Sequence, residues 1–342
     1  MPDASPILVT GASGYIALHV VQQLLQAGHA VRGTVRSLAR EDELRQALGA
    51  SGDDSRLSFV EADLTADAGW AEAVAGCELV VHTASPVPLA APKSEDELIG
   101  PARDGALRVL RAASAAGVRR VVMTSSVAAV SSGAARSGGR VFSEADWSDT
   151  AQDISAYAKS KTLAERAAWD FVATLPADRA MELVTINPSL VVGPTLARDF
   201  SPSVEVIRKL LAREVPGMPR LGWCLVDVRD VAAAHVTALS EPAAAGNRYI
   251  CAGEFHWGID IARILQAHVQ ASGRRIPTRR LPDWLVRVVA VFDATLRMVV
   301  DDLGRKSSFD TTAIRRDLHW ESRPVAQTIN ETADSLIARG IV

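Results

Sequence analysis

The sequence predicts an α/β fold: an open, doubly wound parallel sheet with a smaller, discontinuous C-terminal lobe. Three observations lead there. Short apolar runs alternate with helix-patterned segments through the first half of the chain. A glycine-rich turn, Thr10-Gly11-Ala12-Ser13-Gly14-Tyr15-Ile16-Ala17, stands where the first apolar run gives way to the first helical pattern. Beyond Pro188 the alternation loosens, and Pro194, Pro202, Pro216, Gly217 and Pro219 cluster. Short buried strands separated by helices imply a parallel sheet covered on both faces. With 342 residues, 48% of them hydrophobic, the chain can bury a sizeable core.

Each element has its own signal. Ile7-Leu8-Val9-Thr10 is the first strand, and Tyr15 to Ala27 follows with helical spacing until Gly28 stops it. Ala30 to Val35 is the second strand, Ser58 to Val60 the third and Leu79 to Thr83 the fourth. A helix around Glu97 to Ala116 ends at Gly117, and Arg120 to Thr124 makes the fifth strand. A helix carrying Tyr157 precedes a sixth strand at Met181 to Ile186. Further on, the pattern predicts helices over Arg229 to Leu239, Ile259 to Ala271 and Pro282 to Val300, and a strand at Tyr249 to Cys251. Residues 1–190, with parts of 225–255, are expected to form the sheet domain; about 191–225 and 256–342 are expected to form the lobe. Gly133 to Gly139, rich in small residues, reads as a surface loop.

Composition narrows the class. A formal charge of -3 leaves no basic excess for nucleic acid or an anionic membrane. Cys77, Cys224 and Cys251 are odd in number and widely spaced. They suit neither a disulfide framework nor a metal site, and read as thiols in a reducing cytosol. Met1 to Thr10 lacks the basic-then-apolar pattern of a signal peptide. Leu285 to Val300 is broken by Arg287, Asp293 and Arg297, so it reads as an amphipathic helix and not a membrane span. The expectation is a cytoplasmic protein with no metal. Two exposed helices of the sheet could pair into a homodimer.

The glycine-rich turn is a candidate dinucleotide site. Gly11 and Gly14 let the backbone turn sharply and approach a pyrophosphate, and the helix that follows presents unpaired N–H groups to it. Gly11, Ser13, Gly14, Tyr15 and Ile16 are the candidate contacts. Ala17 takes the third small position, where helix and strand pack closely. At the end of the second strand an NAD-selective site usually places an acid. Here the chain reads Thr34-Val35-Arg36-Ser37, with no acid before Glu41. An arginine suits a 2′-phosphate by charge and by its planar fork of donors, so Arg36 favours NADP(H) over NAD. Asp63 and Leu64, after the third strand, could flank the adenine, although Asp63 could equally cap its own turn.

The segment Ser155-Ala156-Tyr157-Ala158-Lys159-Ser160-Lys161 places a phenol and an ammonium on one helix face, four residues apart. With three tyrosines and five lysines in the chain, such a pair is uncommon by chance. A nearby cation favours the phenolate, which would lower the tyrosine pKa and let it exchange a proton with a carbonyl or an alcohol. Ser126, in Thr124-Ser125-Ser126 at the end of the fifth strand, faces the crevice where a parallel sheet binds ligands. It can hydrogen-bond a substrate oxygen; Ser125 reads as a strand end bonding its own backbone.

Together these segments resemble the extended short-chain dehydrogenase/reductases, and within them the dihydroflavonol reductase and cinnamoyl-CoA reductase group of aldehyde and ketone reductases. The resemblance rests on the glycine-rich turn, Val35-Arg36, Ala62-Asp63-Leu64 and His82-Thr83-Ala84-Ser85-Pro86. It continues through Thr124-Ser125-Ser126, Tyr157 to Lys161, Asn187-Pro188-Ser189-Leu190-Val191-Val192-Gly193-Pro194 and Asp227 to Ala232. It implies a Rossmann-type fold and a catalytic triad of Ser126, Tyr157 and Lys161, with NADP(H) as cofactor. Thr83, Ala84 and Ser85 would line the nicotinamide ribose, Pro188 to Leu190 would pass the nicotinamide ring, and Ser203 would also contact the cofactor. One place departs from the pattern: Arg103-Asp104-Gly105 stands where the family often has Asn before Gly, and Asp104 reads as a helix-face charge.

The implied reaction is reduction of an aldehyde or ketone carbonyl, with Tyr157 as proton donor. Candidate pocket walls are Ser85, Pro86, Val87, Val127, Phe200 and Trp223, whose apolar character suggests a hydrophobic or aromatic carbonyl compound. Ordinary core packing is as natural a reading of Phe200 and Trp223. A nucleotide-sugar epimerase or dehydratase of the same superfamily, or a steroid dehydrogenase, is the alternative; Arg208, Arg213 and Arg220 could serve a diphosphate. A non-catalytic NADP-binding redox sensor is the alternative from another class, and the intact Tyr, Lys and Ser weigh against it.

Overall fold

A computed structural model describes residues 5–49, 54–86, 94–133, 140–198, 200–292 and 300–342. In chain order the large elements begin β1 (Ile7–Thr10), α1 (Tyr15–Gln26), β2 (Val31–Val35), α2 (Glu41–Leu48), β3 (Leu57–Glu61), α3 (Trp70–Val74) and β4 (Leu79–His82). Then come α4 (Asp96–Ala115), β5 (Arg120–Thr124), α5 (Ala128–Ser131), β6 (Val141–Phe142), α6 (Ala156–Ala173), β7 (Glu182–Pro188) and β8 (Leu190–Val192). The remainder is α7 (Glu205–Leu211), β9 (Gly222–Asp227), α8 (Val228–Ser240), β10 (Arg248–Cys251), β11 (Phe255–Trp257), α9 (Gly258–Val269), α10 (Asp283–Ala290), β12 (Ser308–Phe309), α11 (Thr312–Leu318) and α12 (Val325–Ala338).

Seven strands make the main sheet in the order β10-β7-β5-β4-β1-β2-β3, all pairs parallel. This is the predicted doubly wound sheet, and Tyr249–Cys251 supplies most of its edge strand β10. Alternate residues of its central strands face two separate cores. Ile7, Val9, Val81, Val122 and Val184 lie in one; Leu8, Val80, Val121 and Leu183 lie in the other. Side chains of a strand alternate between faces, so burial of both kinds means helices cover both sides. Helices α1 and α8 supply the first cover, α4 and α6 the second.

Helices α4 and α6 meet through small residues, with Ala102, Gly105 and Ala106 on one and Ala158, Ala164 and Ala168 on the other buried. The same buried stripe of α6 carries Lys161 and Glu165, two charges in an otherwise uncharged buried surface. Charged side chains are rarely buried without a partner or a function.

Near the glycine-rich turn, Gly33 of β2 has no room for a side chain. A Cβ there would stand 2.6 Å from the Ala12 Cβ and 3.0 Å from the Phe59 ring. Gly33→Ala is expected to cost about 1–3 kcal/mol by overpacking, lowering Tm by a few degrees in a melting experiment.

A second sheet, β11-β9-β8, was not legible in the sequence, because two of its strands have three residues each. The helix expected over Pro282 to Val300 is described only as α10, with residues 293–299 outside the described set. Residues 134–139 of the expected surface loop also lie outside it. No helix among the described residues is long and apolar enough to cross a membrane.

Candidate active site

The crevice lies at the C-terminal ends of β1, β4, β5 and β7, the sheet edge where open α/β folds bind ligands. The glycine-rich turn opens it. Gly11 adopts φ +64° and its position would bring a Cβ to 3.0 Å from the Ala84 Cβ, so only glycine serves there. Its amide donates to Thr34 Oγ1 and that of Gly14 to the Gly11 carbonyl. Helix α1 starts at Tyr15 behind Gly14, which has no side chain to cap it. Among the described residues the amides of Ser13, Tyr15 and Ile16 have no backbone acceptor, and they remain as donors at the positive end of the helix. Tyr15 contributes its amide alone; its buried hydroxyl donates to the Gly193 carbonyl at 2.7 Å.

Three arginines cluster near the second strand, and the structure separates them. Arg32 donates to the carbonyls of Ala73 and Ala75, and Arg40 forks onto Glu43. Arg36 is exposed and has no ion pair among the described residues. It lies close enough to Asp63 to help hold that carboxyl below its usual range, behind the larger effect of Asp63's hydrogen bonds from the Thr65 hydroxyl and amide. Asp63 therefore caps its own turn, and Leu64 beside it is half-buried against Gly105.

Thr10 knits β1 to β4. Its hydroxyl pairs with His82 Nδ1 at 2.8 Å and accepts from the Ala84 amide, while Thr83 Oγ1 donates to the Thr10 carbonyl. Thr83 and Ala84 are thus fixed, Ala84 directly beside Gly11, and Ser85 and Pro86 continue from them half-buried. On the other side Pro188 is buried at the end of β7. The next hydroxyl, Ser189 Oγ, is buried with no hydrogen-bond partner among the described residues. Unpartnered amides at a helix N-terminus, a free arginine and an orphaned hydroxyl fit the pyrophosphate, 2′-phosphate and polar carboxamide of NADP(H). Ser203 is half-buried and spends its hydroxyl on the Val191 carbonyl.

Ser126 follows β5. The Ser125 amide bonds the Ile186 carbonyl at 2.7 Å and the Val127 amide the Pro188 carbonyl at 3.0 Å, so the β5–β7 ladder continues past the strand and fixes Ser126 between them. Helix α6 is capped by Ser155, whose hydroxyl accepts from the Ala158 amide, and Tyr157 stands in its first turn. The Lys161 ammonium is 6.0 Å from the Tyr157 ring centroid. Ser126 and Lys161 are buried, and Tyr157 is half-buried. The three residues read from the sequence therefore converge at one place.

Electrostatics there differ from the expectation in one respect. Spacing alone predicts a depressed tyrosine pKa; in the protein it is raised. Burial disfavours the phenolate, and only the Ser126 side chain works against that. Burial also lowers Lys161 to about 8, opposed by the Glu165 carboxylate. His82 is pulled to about 3 by burial and then by Lys161, so it is neutral. The lysine is the group that titrates nearest neutrality.

Of the candidate pocket walls, Val127 packs in a small cluster with Val130, Phe142, Cys224, Ile250 and Ala252. Phe200 and Trp223 are partly buried against the main core. Val87 lies outside the described residues. Two of the three arginines considered for a diphosphate are taken: Arg208 forks onto Glu205 and Glu214, and Arg220 bonds Asp283. Asp104 is exposed and paired with Arg103 at 2.8 Å, a helix-face charge as expected.

Sequence reading missed Glu165, Arg248 and the role of Asn187. Glu165 is fully buried and accepts from Ser125, Thr185, Asn187 and Arg248. The available signal was its position four residues after Lys161, on the same face of an alanine-rich helix.

Residues 7–252 match the NAD dependent epimerase/dehydratase family. Cinnamoyl-CoA reductase 1 of Petunia hybrida is 35% identical over 339 residues, covering 98% of this chain and 92% of that protein. Dihydroflavonol 4-reductase of Zea mays is 35% identical over 259 residues, covering 73% and 70%. Among solved structures, yeast methylglyoxal/isovaleraldehyde reductase complexed with NADPH superposes with a TM-score of 0.81 at 27% identity, covering 98% of this chain and 100% of that one.

Proposed function

The chain belongs to the NAD dependent epimerase/dehydratase family, and from that membership we propose that it is an NADP(H)-dependent oxidoreductase that reduces an aldehyde or ketone to an alcohol. The observation that carries this reading is the convergence of Ser126, Tyr157 and Lys161 beside the glycine-rich turn, with Arg36 free at the end of β2. Relatives named for cinnamoyl-CoA and dihydroflavonol reduction, and a fold neighbour that reduces methylglyoxal and isovaleraldehyde, support a carbonyl substrate. The apolar walls favour a hydrophobic or aromatic one.

NADPH, when bound, supplies the hydride. The residues of the chain do the rest. The amides of Ser13, Tyr15 and Ile16 and the Arg36 guanidinium would hold the phosphates, and Ser189 Oγ is placed to meet a polar group beyond Pro188. Tyr157 donates its proton to the carbonyl oxygen. Its raised pKa keeps the phenol protonated beforehand and also makes it a weaker donor, so the transfer depends on groups that stabilise the phenolate. Ser126 donates a hydrogen bond to the same oxygen as charge develops on it. The Lys161 ammonium then stabilises the phenolate that the transfer leaves behind. Family description alone would admit an epimerase, but that chemistry needs a diphosphate clamp, and Arg208 and Arg220 are already neutralised.

Loss of NADPH absorbance with a panel of aromatic aldehydes, β-ketoesters and flavanonols tests the reading. Turnover of any of them is expected. Failure on all, with a nicotinamide cofactor retained through purification, would favour the epimerase. The pH profile gives a separate check. Lys161 is a cation below its pKa of about 8 and neutral above it. Reduction is therefore expected to hold at neutral pH and to fall as pH rises through that value, and a rate that climbs there would contradict the role given to Lys161.

A further inference from the structure

We propose that Glu165 is a positioning residue of this site: one buried carboxylate fixes where Ser126 stands and supplies the counter-charge of the Lys161 ammonium, while Arg248 makes that carboxylate tolerable in the interior. The proposal rests on reading Ser126, Tyr157 and Lys161 as the catalytic groups.

The geometry is specific. Glu165 is 0% exposed, one helical turn beyond Lys161. Its Oε2 accepts from Ser125 Oγ at 2.5 Å and Asn187 Nδ2 at 2.8 Å. Its Oε1 accepts from Thr185 Oγ1 at 2.9 Å and Arg248 Nε at 2.7 Å. Asn187 Nδ2 also reaches the Ser126 carbonyl at 3.2 Å. Both strand ends that frame the catalytic serine therefore hang from this carboxylate. Arg248 is itself clamped: its guanidinium lies 3.6 Å from the Trp147 ring centroid and donates to the carbonyls of Glu144 and Asp146 at 2.6 and 2.9 Å.

A purely structural role explains this poorly. A buried ion pair costs desolvation that hydrophobic residues of the same volume would avoid, so it is weak evidence of stabilisation. A reason to keep the charge stands next to it. Lys161 is buried and needs a counter-charge to remain an ammonium. Besides Tyr157 on its own helix, the charged or titratable groups near it are His82 of β4, held neutral, and Glu165 of α6. The acid that approaches from the α4 side, Glu95, is bonded to Lys159 at 2.7 Å. Glu165 is the one carboxylate among the described residues that supports the lysine cation.

The test is the pH profile of kcat/KM for NADPH-dependent reduction in the wild type, in Glu165→Gln and in Glu165→Gln/Arg248→Met. The double variant removes the Glu165–Arg248 pair together, so no guanidinium is left buried without its carboxylate, and it guards the test against misfolding of the single variant. In the folded variants the alkaline limb is expected to move down by about half a pH unit or more. kcat is expected to fall about tenfold, with KM for NADPH within about threefold of the wild type. An alkaline limb that stays in place overturns the proposal, because a merely structural residue would lower activity without moving it. Ser125→Ala keeps the Glu165 charge and is a safe folding control. It is expected to lose kcat severalfold with the limb unmoved; wild-type kcat in it overturns the positioning claim. A wild type that turns over no carbonyl would overturn the reductase reading itself, whereas turnover with an unmoved limb overturns the Glu165 proposal alone.

Discussion

Tyr157→Phe is expected to lower kcat by about 10²–10⁴-fold, the usual worth of a positioned general acid. NADPH affinity should stay within about threefold, because the change removes one oxygen and leaves the ring in place. The site makes this the sharpest single substitution. Ser126 is the hydroxyl that approaches the phenol, and no other tyrosine is near: Tyr15 spends its hydroxyl on the Gly193 carbonyl and Tyr249 on Ala243 and Asp317. Lys161, its ammonium 6.0 Å from the ring centroid, is left as a neighbouring cation without the phenol it is expected to support. Single-turnover kinetics beside fluorescence titration with NADPH separate the two effects. Near-normal turnover would remove Tyr157 from the chemistry. Loss of binding in step with turnover would make it a structural residue.

Arg36→Glu is expected to lower kcat/KM with NADPH by about 10–100-fold and to raise it with NADH, reversing the preference. A hydrogen-bonded charge on phosphate is worth about 1.5–3 kcal/mol, and an acid adds repulsion toward the 2′-phosphate while offering an acceptor to a ribose hydroxyl. Arg36 alone of the three local arginines is available. Arg32 is bound to backbone carbonyls at the C-terminal end of α3 and Arg40 to Glu43, so neither can turn to a cofactor without breaking bonds already made. Kinetics with both cofactors check this, and an unchanged ratio would reject the role of Arg36.

Much of this site could be read in the chain because its parts are local. The turn from Thr10 to Ala17 needs glycine where φ is positive and a small residue where helix meets strand, and both needs leave letters in the sequence. The Tyr157–Lys161 spacing is helical geometry written directly. The parallel sheet was legible from its buried apolar runs, and β5 falls on the residues expected for it. What escaped notice depends on contacts between distant segments. Glu165 draws its donors from β7, β10 and the end of β5, and nothing near it in sequence announces Arg248, which arrives from 83 residues away. The tyrosine pKa was misjudged for the same reason: spacing shows the lysine, whereas burial comes from the whole fold. The strands β8 and β11 are too short to show alternation. The arginines of the second half looked free until the structure paired Arg208 and Arg220 with acids.

In the proposed reaction a hydride passes out of the cofactor and stays in a released alcohol. Reduction of an aromatic aldehyde with NADPH deuterated at the transferable position of the nicotinamide tests it most directly, with the product read by mass spectrometry. Expected is an alcohol carrying the deuterium on its former carbonyl carbon, released together with an equal amount of NADP⁺, with Tyr157→Phe forming it about 10²–10⁴-fold more slowly. Label that stays with a tightly held cofactor, with no alcohol formed, would contradict it.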